Sequence, residues 1–549
     1  MLYHFLPLVR SSRSWYETLQ LLGPAQDDVP VKNPILDNIS GKHGRFSATA
    51  GGRWIVDMKH HRPFLCGVVV LVPFFVALPL SARYEPPSPK AESSRSDNWP
   101  GFRGPKSLPV SDNPNLPDRW SKTDNVEWVA DVPGVGWSSP VVWGRNILMT
   151  AATSEQAMKP PSLGTEFSNE YIAELRAQGL SPEEVNRRLY ARDREMPDEV
   201  VIGLNLYCYD LEDGKLLWER RLYHGNPLGG RHRKNSFASE TPVTDGENVY
   251  VYFTQLGLYA YDRNGKQVWT TPLKAHQTIR DYGTGASPAL HQDRLFVVND
   301  NEEQGFIAAF DKRTGKELWR TARTFETPRK TGWSTPFVWE NPLRTEVVTV
   351  GPGAVRSYGL DGKELWRLNR MGAVAIQSPF ACNGLLYVSS GTSGDDNRPI
   401  AAIRPGGSGD ITPPPPGNRN EYVVWYSRLA GGTYLPSPLI FGGALYVLYE
   451  KGIFARYDVE SGERVFRSRI APGAAAFTAS PWAYNGKIFA LSEEGDTFVI
   501  EAGATFRLLG VNSLGDWAMA SPAIVSDRLL IRTRSHLYSI RNDVHSGVR

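Results

Sequence analysis

The sequence predicts an all-β fold, an eight-bladed β-propeller with four-stranded blades, closed by its own N-terminal strand. Three observations predict it. A Ser-Pro or Thr-Pro pair recurs eight times in one register, with its proline at 140, 242, 288, 336, 379, 438, 481 and 522. In seven of these units an apolar pair follows seven and eight residues after the proline, as in Ile147-Leu148, Val249-Tyr250, Leu386-Tyr387 and Leu529-Leu530. Later in the unit an aromatic strand ends in a polar residue, and a glycine turn and a tryptophan follow. The clearest copies run from Tyr207-Cys208-Tyr209-Asp210 through Gly214 to Trp218, and from Tyr259-Ala260-Tyr261-Asp262 through Gly265 to Trp269. Four short strands per unit of about 40 to 50 residues, repeated in tandem, is the pattern of propeller blades.

Each element follows in order. The Ser/Thr-Pro opens an innermost strand, the apolar pair lies on the second, the aromatic segment is the third and the tryptophan lies on the outermost. Glycine suits the third turn, because a tight hairpin needs a positive φ that a Cβ opposes. The tryptophan recurs at Trp218, Trp269, Trp319, Trp366 and Trp425, while Phe466 and Phe506 substitute in the sixth and seventh units. The eighth unit ends after His536-Leu537-Tyr538-Ser539-Ile540 without its outer strand. The missing strand is predicted at the front, Asn125 to Ala130 with Trp128, which closes the ring and removes an exposed sheet edge. Residues 125–542 then form the propeller, at roughly 46 residues per blade once the insertion at 153–203 is set aside. Ser181-Pro182-Glu183-Glu184 is a capping box with proline at the first helical position, so that insertion is expected to carry a helix over 182–194. The stretch 406–417 is expected to lengthen the loops of the fifth blade.

Ahead of the propeller, Lys59-His60-His61-Arg62 precedes an uncharged run from Pro63 to Leu80. That is the anatomy of an export signal, so 58–82 is expected to be a signal peptide or a membrane anchor. Such a signal works at an N-terminus, so Met58 is expected to be the true start and 1–57 an upstream extension or a disordered tail. Residues 83–124 form a lead-in. The chain is thus expected to be exported, periplasmic or extracellular, touching a membrane only through 63–80 if that segment stays uncleaved.

Composition excludes several function classes. The 549 residues carry 61 Lys+Arg against 58 Asp+Glu, too balanced for an electrostatic binder of nucleic acid. Three cysteines, at 66, 208 and 382, cannot make a disulfide framework or a four-cysteine zinc site. The sequence contains no phosphate-binding glycine loop, kinase catalytic loop, zinc-ligand cluster or nucleophile elbow.

The Gly-Lys-x-x-Trp repeat with an aromatic-Asp ahead of it, together with the lead-in Asn98-Trp99-Pro100-Gly101-Phe102-Arg103-Gly104-Pro105, resembles the PQQ-like propeller repeat of bacterial quinoproteins and exported PQQ-binding-like proteins. The resemblance covers roughly residues 98 to 541. It implies that Trp128, Trp218, Trp269, Trp319, Trp366 and Trp425 dock between neighbouring blades. It also brings PQQ and Ca²⁺ into consideration. The adjacent-cysteine disulfide on which quinoprotein alcohol dehydrogenases stack PQQ is missing here, since Cys208 and Cys382 are far apart in sequence. Similar repeats also occur in non-redox envelope proteins, so the fold does not decide the function.

Propeller ligands commonly sit at the mouth of the channel, on loops leading into the innermost strands. The richest lead-in holds Arg231, His232, Arg233, Lys234 and Asn235. Arg280 and Asp281 precede the third blade, and Arg329 and Lys330 the fourth, so three consecutive lead-ins are expected to place cations around one side of the mouth, where they could clamp an anion. No metal ligand is assigned; the acidic stretches at Asp300 and Asp395 are the places where Ca²⁺ would be sought. The leading expectation is a monomeric, non-catalytic envelope propeller that binds a protein, a polysaccharide or an anionic small molecule. The alternatives are a PQQ-dependent dehydrogenase lacking the cysteine pair, and a glycan-active hydrolase or lyase.

Overall fold

A computed structural model describes residues 97–156, 174–185, 187–188, 200–232, 234–392, 395–415, 417–470 and 476–542. The expected extension, the export segment, Arg233 and most of the helical insertion lie outside the described residues. Among the described residues, no helix is long and apolar enough to cross a membrane.

Eight antiparallel sheets follow one another in the chain. Each blade opens one residue after its Ser/Thr-Pro, with innermost strands beginning at Val141, Val243, Ala289, Phe337, Phe380, Leu439, Trp482 and Ala523 in blades I to VIII. Proline fits that place because the first residue of a strand can forgo a ladder donor. Blade III shows the common build: Ala289–His291, Arg294–Asn299, Phe306–Asp311 and Glu317–Ala322, each strand antiparallel to the one before. Burial falls from inside to outside. Leu295–Asn299 and Phe306–Phe310 are almost wholly buried, while Glu317–Ala322 mixes exposed and half-buried residues.

Blade VIII is completed by the N-terminal strand Val126–Asp131, which pairs antiparallel with His536–Arg541. Arg528 of the same blade forms an ion pair with Glu127 of that strand at 2.7 Å, so the closure joins the two ends of the ring by charge as well as by backbone. In the insertion, 174–177, 182–185 and 187–188 are helical, and the Ser181 hydroxyl caps the Glu184 amide at 3.2 Å.

Blade IV departs from the expectation. Part of the 406–417 stretch, read as loop of blade V, instead forms the strand Gly409–Asp410, which pairs in parallel with the outer strand Glu364–Leu368 of blade IV. The edge it covers is otherwise exposed, and burying it satisfies an unpaired strand edge. The same stretch changes the role of Trp366. In five blades the tryptophan Nε1 donates to a carbonyl of the next blade, as from Trp218 to Arg263 at 3.1 Å and from Trp425 to Val459 at 2.9 Å. Trp366 instead donates within its own blade to the buried Glu346 carboxylate at 2.6 Å, with Gly407 against its ring.

The lead-in lies across the ring. Trp99 bridges to Val142 of blade I, the Pro100 carbonyl accepts from Thr244 of blade II, and Val110 bridges to Ala483 of blade VII. The 3-10 turn Pro105–Ser107 packs on the inner strands of blades IV and V. Arg103, wholly buried, donates to the carbonyls of Ser437 and Pro438 at 3.2 and 2.8 Å, and its burial lowers its pKa to about 9.

Candidate functional site

The residues before each proline build two stacked rings of side chains. One position before the proline stands a hydroxyl: Ser139, Thr241, Ser287, Thr335, Ser378, Ser437, Ser480 or Ser521. Six of these hydroxyls form a belt, each accepting the backbone N–H of the equivalent residue one blade earlier. Ser139 donates to Thr241, Thr241 to Ser287, Ser287 to Thr335, Ser378 to Ser437, Ser437 to Ser480 and Ser480 to Ser521, at 2.9 to 3.1 Å. Buried amides at a point where neighbouring strands converge need acceptors, and the belt supplies them. The Ser139 and Ser378 hydroxyls are buried and make no hydrogen bond.

Three positions before the proline the side chains differ, and all eight line one central cavity of about 190 Å³: Trp137, Ser239, Gly285, Trp333, Ile376, Leu435, Thr478 and Met519. The two tryptophans belong to blades I and IV. Between them, at blades II and III, stand the smallest residues of the ring, Ser239 and Gly285. Both indoles are anchored towards that gap: Trp137 Nε1 donates to the Lys234 carbonyl at 2.7 Å, and Trp333 Nε1 to the Gly283 carbonyl at 2.9 Å. Tyr282 and Asn235 line the gap, and the His232 ring meets Tyr282 edge-on with centroids 4.7 Å apart. Phe102 of the lead-in also lines the cavity. Since the rest of the lead-in crosses the inner strands, the bore is a cup with Phe102 in its base.

The cup's charge is internally balanced. Lys234 of the blade II lead-in reaches Glu493 of blade VII, with Nζ to Oε1 at 2.5 Å and both side chains buried. The Thr478 hydroxyl donates to the same carboxylate at 2.6 Å. Among the described residues, no carboxylate lines the cup.

The expected cation cluster does not assemble there. Lys234, His232 and Asn235 line the cup. Arg231 instead donates to the Asn235 carbonyl and lies over Phe237, and burial lowers its pKa. Arg280 and Asp281 form a 3-10 turn, Ile279–Asp281, and Arg329 and Lys330 are exposed. None of these four lines the cavity. The acidic stretches are engaged locally: Asp300 pairs with the buried Arg323 at 2.7 Å, Glu302 accepts from Thr331 at 2.7 Å, and Asp395 accepts from the Thr392 amide at 2.9 Å.

The cup does not fit PQQ held by Ca²⁺. Its neighbouring carboxylate, Glu493, is engaged by Lys234 and Thr478. Among the described residues, no three His, Cys, Asp or Glu side chains cluster to hold a metal. Cys208 and Cys382 stand in different blades and are not joined by a disulfide, and burial raises the Cys208 pKa to about 12.

A family model described as outer membrane protein assembly factor BamB matches residues 203–368 and 303–404. Among curated proteins, the quinohemoprotein alcohol dehydrogenase ADH-IIG of Pseudomonas putida is 28% identical over 124 residues, 21% of this chain and 16% of that protein. BamB of Shewanella oneidensis is 23% identical over 164 residues, 26% of this chain and 38% of that protein. The chain thus spans well under half the length of either curated relative. Among solved structures, BamB from Moraxella catarrhalis aligns with a TM-score of 0.45 at 14% identity, over 63% of this chain and 95% of that one. Quinohemoprotein alcohol dehydrogenase ADHIIG from Pseudomonas putida HK5 aligns at 0.49 and 11% identity, over 82% and 81%. With its eight tandem units and the family match within them, this chain is a PQQ-like β-propeller repeat protein.

Proposed function

We propose that the protein is a non-catalytic binding propeller of the cell envelope, which holds a ligand in the central cup without transforming it. The observation that carries this reading is the neutral, aromatic and hydroxyl-lined cup, whose one lysine is paired to Glu493. A glycan hydrolase needs two carboxyl groups across the bond it cleaves, and among the described residues no carboxylate lines the cup. Small-molecule pockets are mainly apolar, with a few placed polar groups, as this cup is. The match to an outer membrane assembly factor supports an envelope location and a protein partner for the outer faces.

The dehydrogenase reading rests on the ADH-IIG similarity, which covers 16% of that enzyme. A dye-linked oxidation assay on the full chain, with PQQ and Ca²⁺ added and a panel of alcohols and sugars, separates the two. The binding reading expects no dye reduction above the protein-free rate. Saturable turnover with any of the substrates would overturn it.

A further inference from the structure

Resting on that reading, we infer that the cup binds one uncharged pyranose residue, either free or as the end of a neutral glycan. Trp137 and Trp333 line the cup on either side of the small Ser239 and Gly285, each indole fixed by its hydrogen bond. A pyranose offers the complement, apolar C–H faces with hydroxyls around the ring edge, and amphipathic aromatic rings are suited to such faces. The cup also offers a polar group in need of a partner. The Ser378 side chain lines it, is 3% exposed, and its hydroxyl makes no hydrogen bond. A buried hydroxyl left unmatched is unfavourable, so a ligand hydroxyl at that point gains more than it would in water.

Two further features shape the site. Tyr434, also in the wall, has a left-handed backbone at φ 69°, uncommon for a bulky residue. The wholly buried Gln377 fixes it, donating through Nε2 to the Tyr434 carbonyl at 3.0 Å and to the Thr433 hydroxyl at 2.7 Å. Strain held in this way concentrates at ligand clamps. With Phe102 in the base, a ligand enters by an end and does not thread through, and about 190 Å³ accommodates a single sugar ring. The charge balance selects against acidic sugars, because Lys234 is already committed to Glu493.

The test titrates the full chain with glucose, N-acetylglucosamine, maltotriose and triacetylchitotriose, followed by tryptophan fluorescence and calorimetry, with glucuronic acid as the charged comparator. At least one neutral probe is expected to bind at one equivalent. A trimer binding more tightly than its monomer identifies a glycan end, and equal affinities identify a free sugar. Gly285→Leu is the informative variant. A Cβ at Gly285 meets only Trp333, at 3.8 Å, and the backbone there suits any residue, so the new side chain fills the cup while the fold persists. It is expected to weaken binding by about tenfold or more, with circular dichroism unchanged. Failure of all four neutral probes, or binding indifferent to Gly285→Leu, overturns the inference. Glucuronic acid binding alone, blocked by Gly285→Leu, overturns the sugar class while leaving a binding cup. Dye-linked turnover would remove the underlying reading as well.

Discussion

The indole of Trp128 donates its Nε1–H to the carbonyl of Leu211 at 3.0 Å, which joins the strand that closes blade VIII to the hairpin of blade I. Its ring lies so close over Gly214 that a Cβ there would come within 2.5 Å of it. The same pairing recurs around the ring, as in Trp269 with Lys312 and Gly315, and Trp319 with Leu360 and Gly362.

Blade docking therefore depends on tryptophan and glycine together. Trp425 is 1% exposed, and Trp425→Ala is expected to lower the unfolding free energy by about 3–5 kcal/mol in urea denaturation. Gly462→Ala adds a Cβ 2.5 Å from that ring at φ 72° and is expected to cost about 1–3 kcal/mol. A denaturation midpoint unchanged by either substitution would contradict the docking geometry.

The hydroxyl belt predicts a contrast between two serines in the same motif position. Ser437→Ala strips the acceptor from the buried Ser378 amide and is expected to destabilise by about 1–3 kcal/mol. Ser378→Ala removes a hydroxyl without a partner and is expected to fall within about 0.5 kcal/mol of the parent. Equal effects in thermal denaturation would show that the belt is not the reason for the hydroxyls.

Glu240 predicts a pH dependence. Burial raises its pKa above the ordinary value of 4.5, against the opposing effect of bonds from the Thr284 and Thr254 hydroxyls. An acid whose folded pKa is raised contributes stability below its unfolded pKa and loses it as pH rises through the folded value. Glu240→Gln, which keeps the shape and stays neutral, is expected to be more stable than the parent at pH 8, with the advantage shrinking towards pH 4. An advantage independent of pH would mean that Glu240 is not the titrating group.

The buried pair of Lys234 and Glu493 is expected to be costly to break from one side. Lys234→Met leaves a buried carboxylate without its cation, a loss of about 3–5 kcal/mol, and adding Glu493→Gln is expected to recover part of it. Additive single and double effects in a denaturation cycle would contradict the contact.

Much of the ring was legible in the sequence because one chemical requirement recurs in every unit. The Ser/Thr-Pro marks where an inner strand begins, and the Gly–Trp spacing marks where blades meet, so strand order and the closure by Val126–Asp131 followed from register. The cup was not legible in the same way. Its lining at three positions before each proline runs Trp, Ser, Gly, Trp, Ile, Leu, Thr, Met, and so carries no residue type common to every unit to draw attention, although the register locates it. Charge drew the search to Arg280, Arg329 and Lys330 instead, but sequence does not show that loops turn these away from the bore. The strand at Gly409–Asp410 was missed because two residues next to prolines and glycines carry no strand pattern.

The most direct measurement is an equilibrium titration of the full chain with PQQ in the presence of Ca²⁺, followed by the cofactor's absorbance and by the melting temperature. A binding cup whose carboxylate is committed to Lys234 predicts no saturable spectral change and no rise in melting temperature. Tight binding near one equivalent, with the stabilisation that linkage requires, would contradict it.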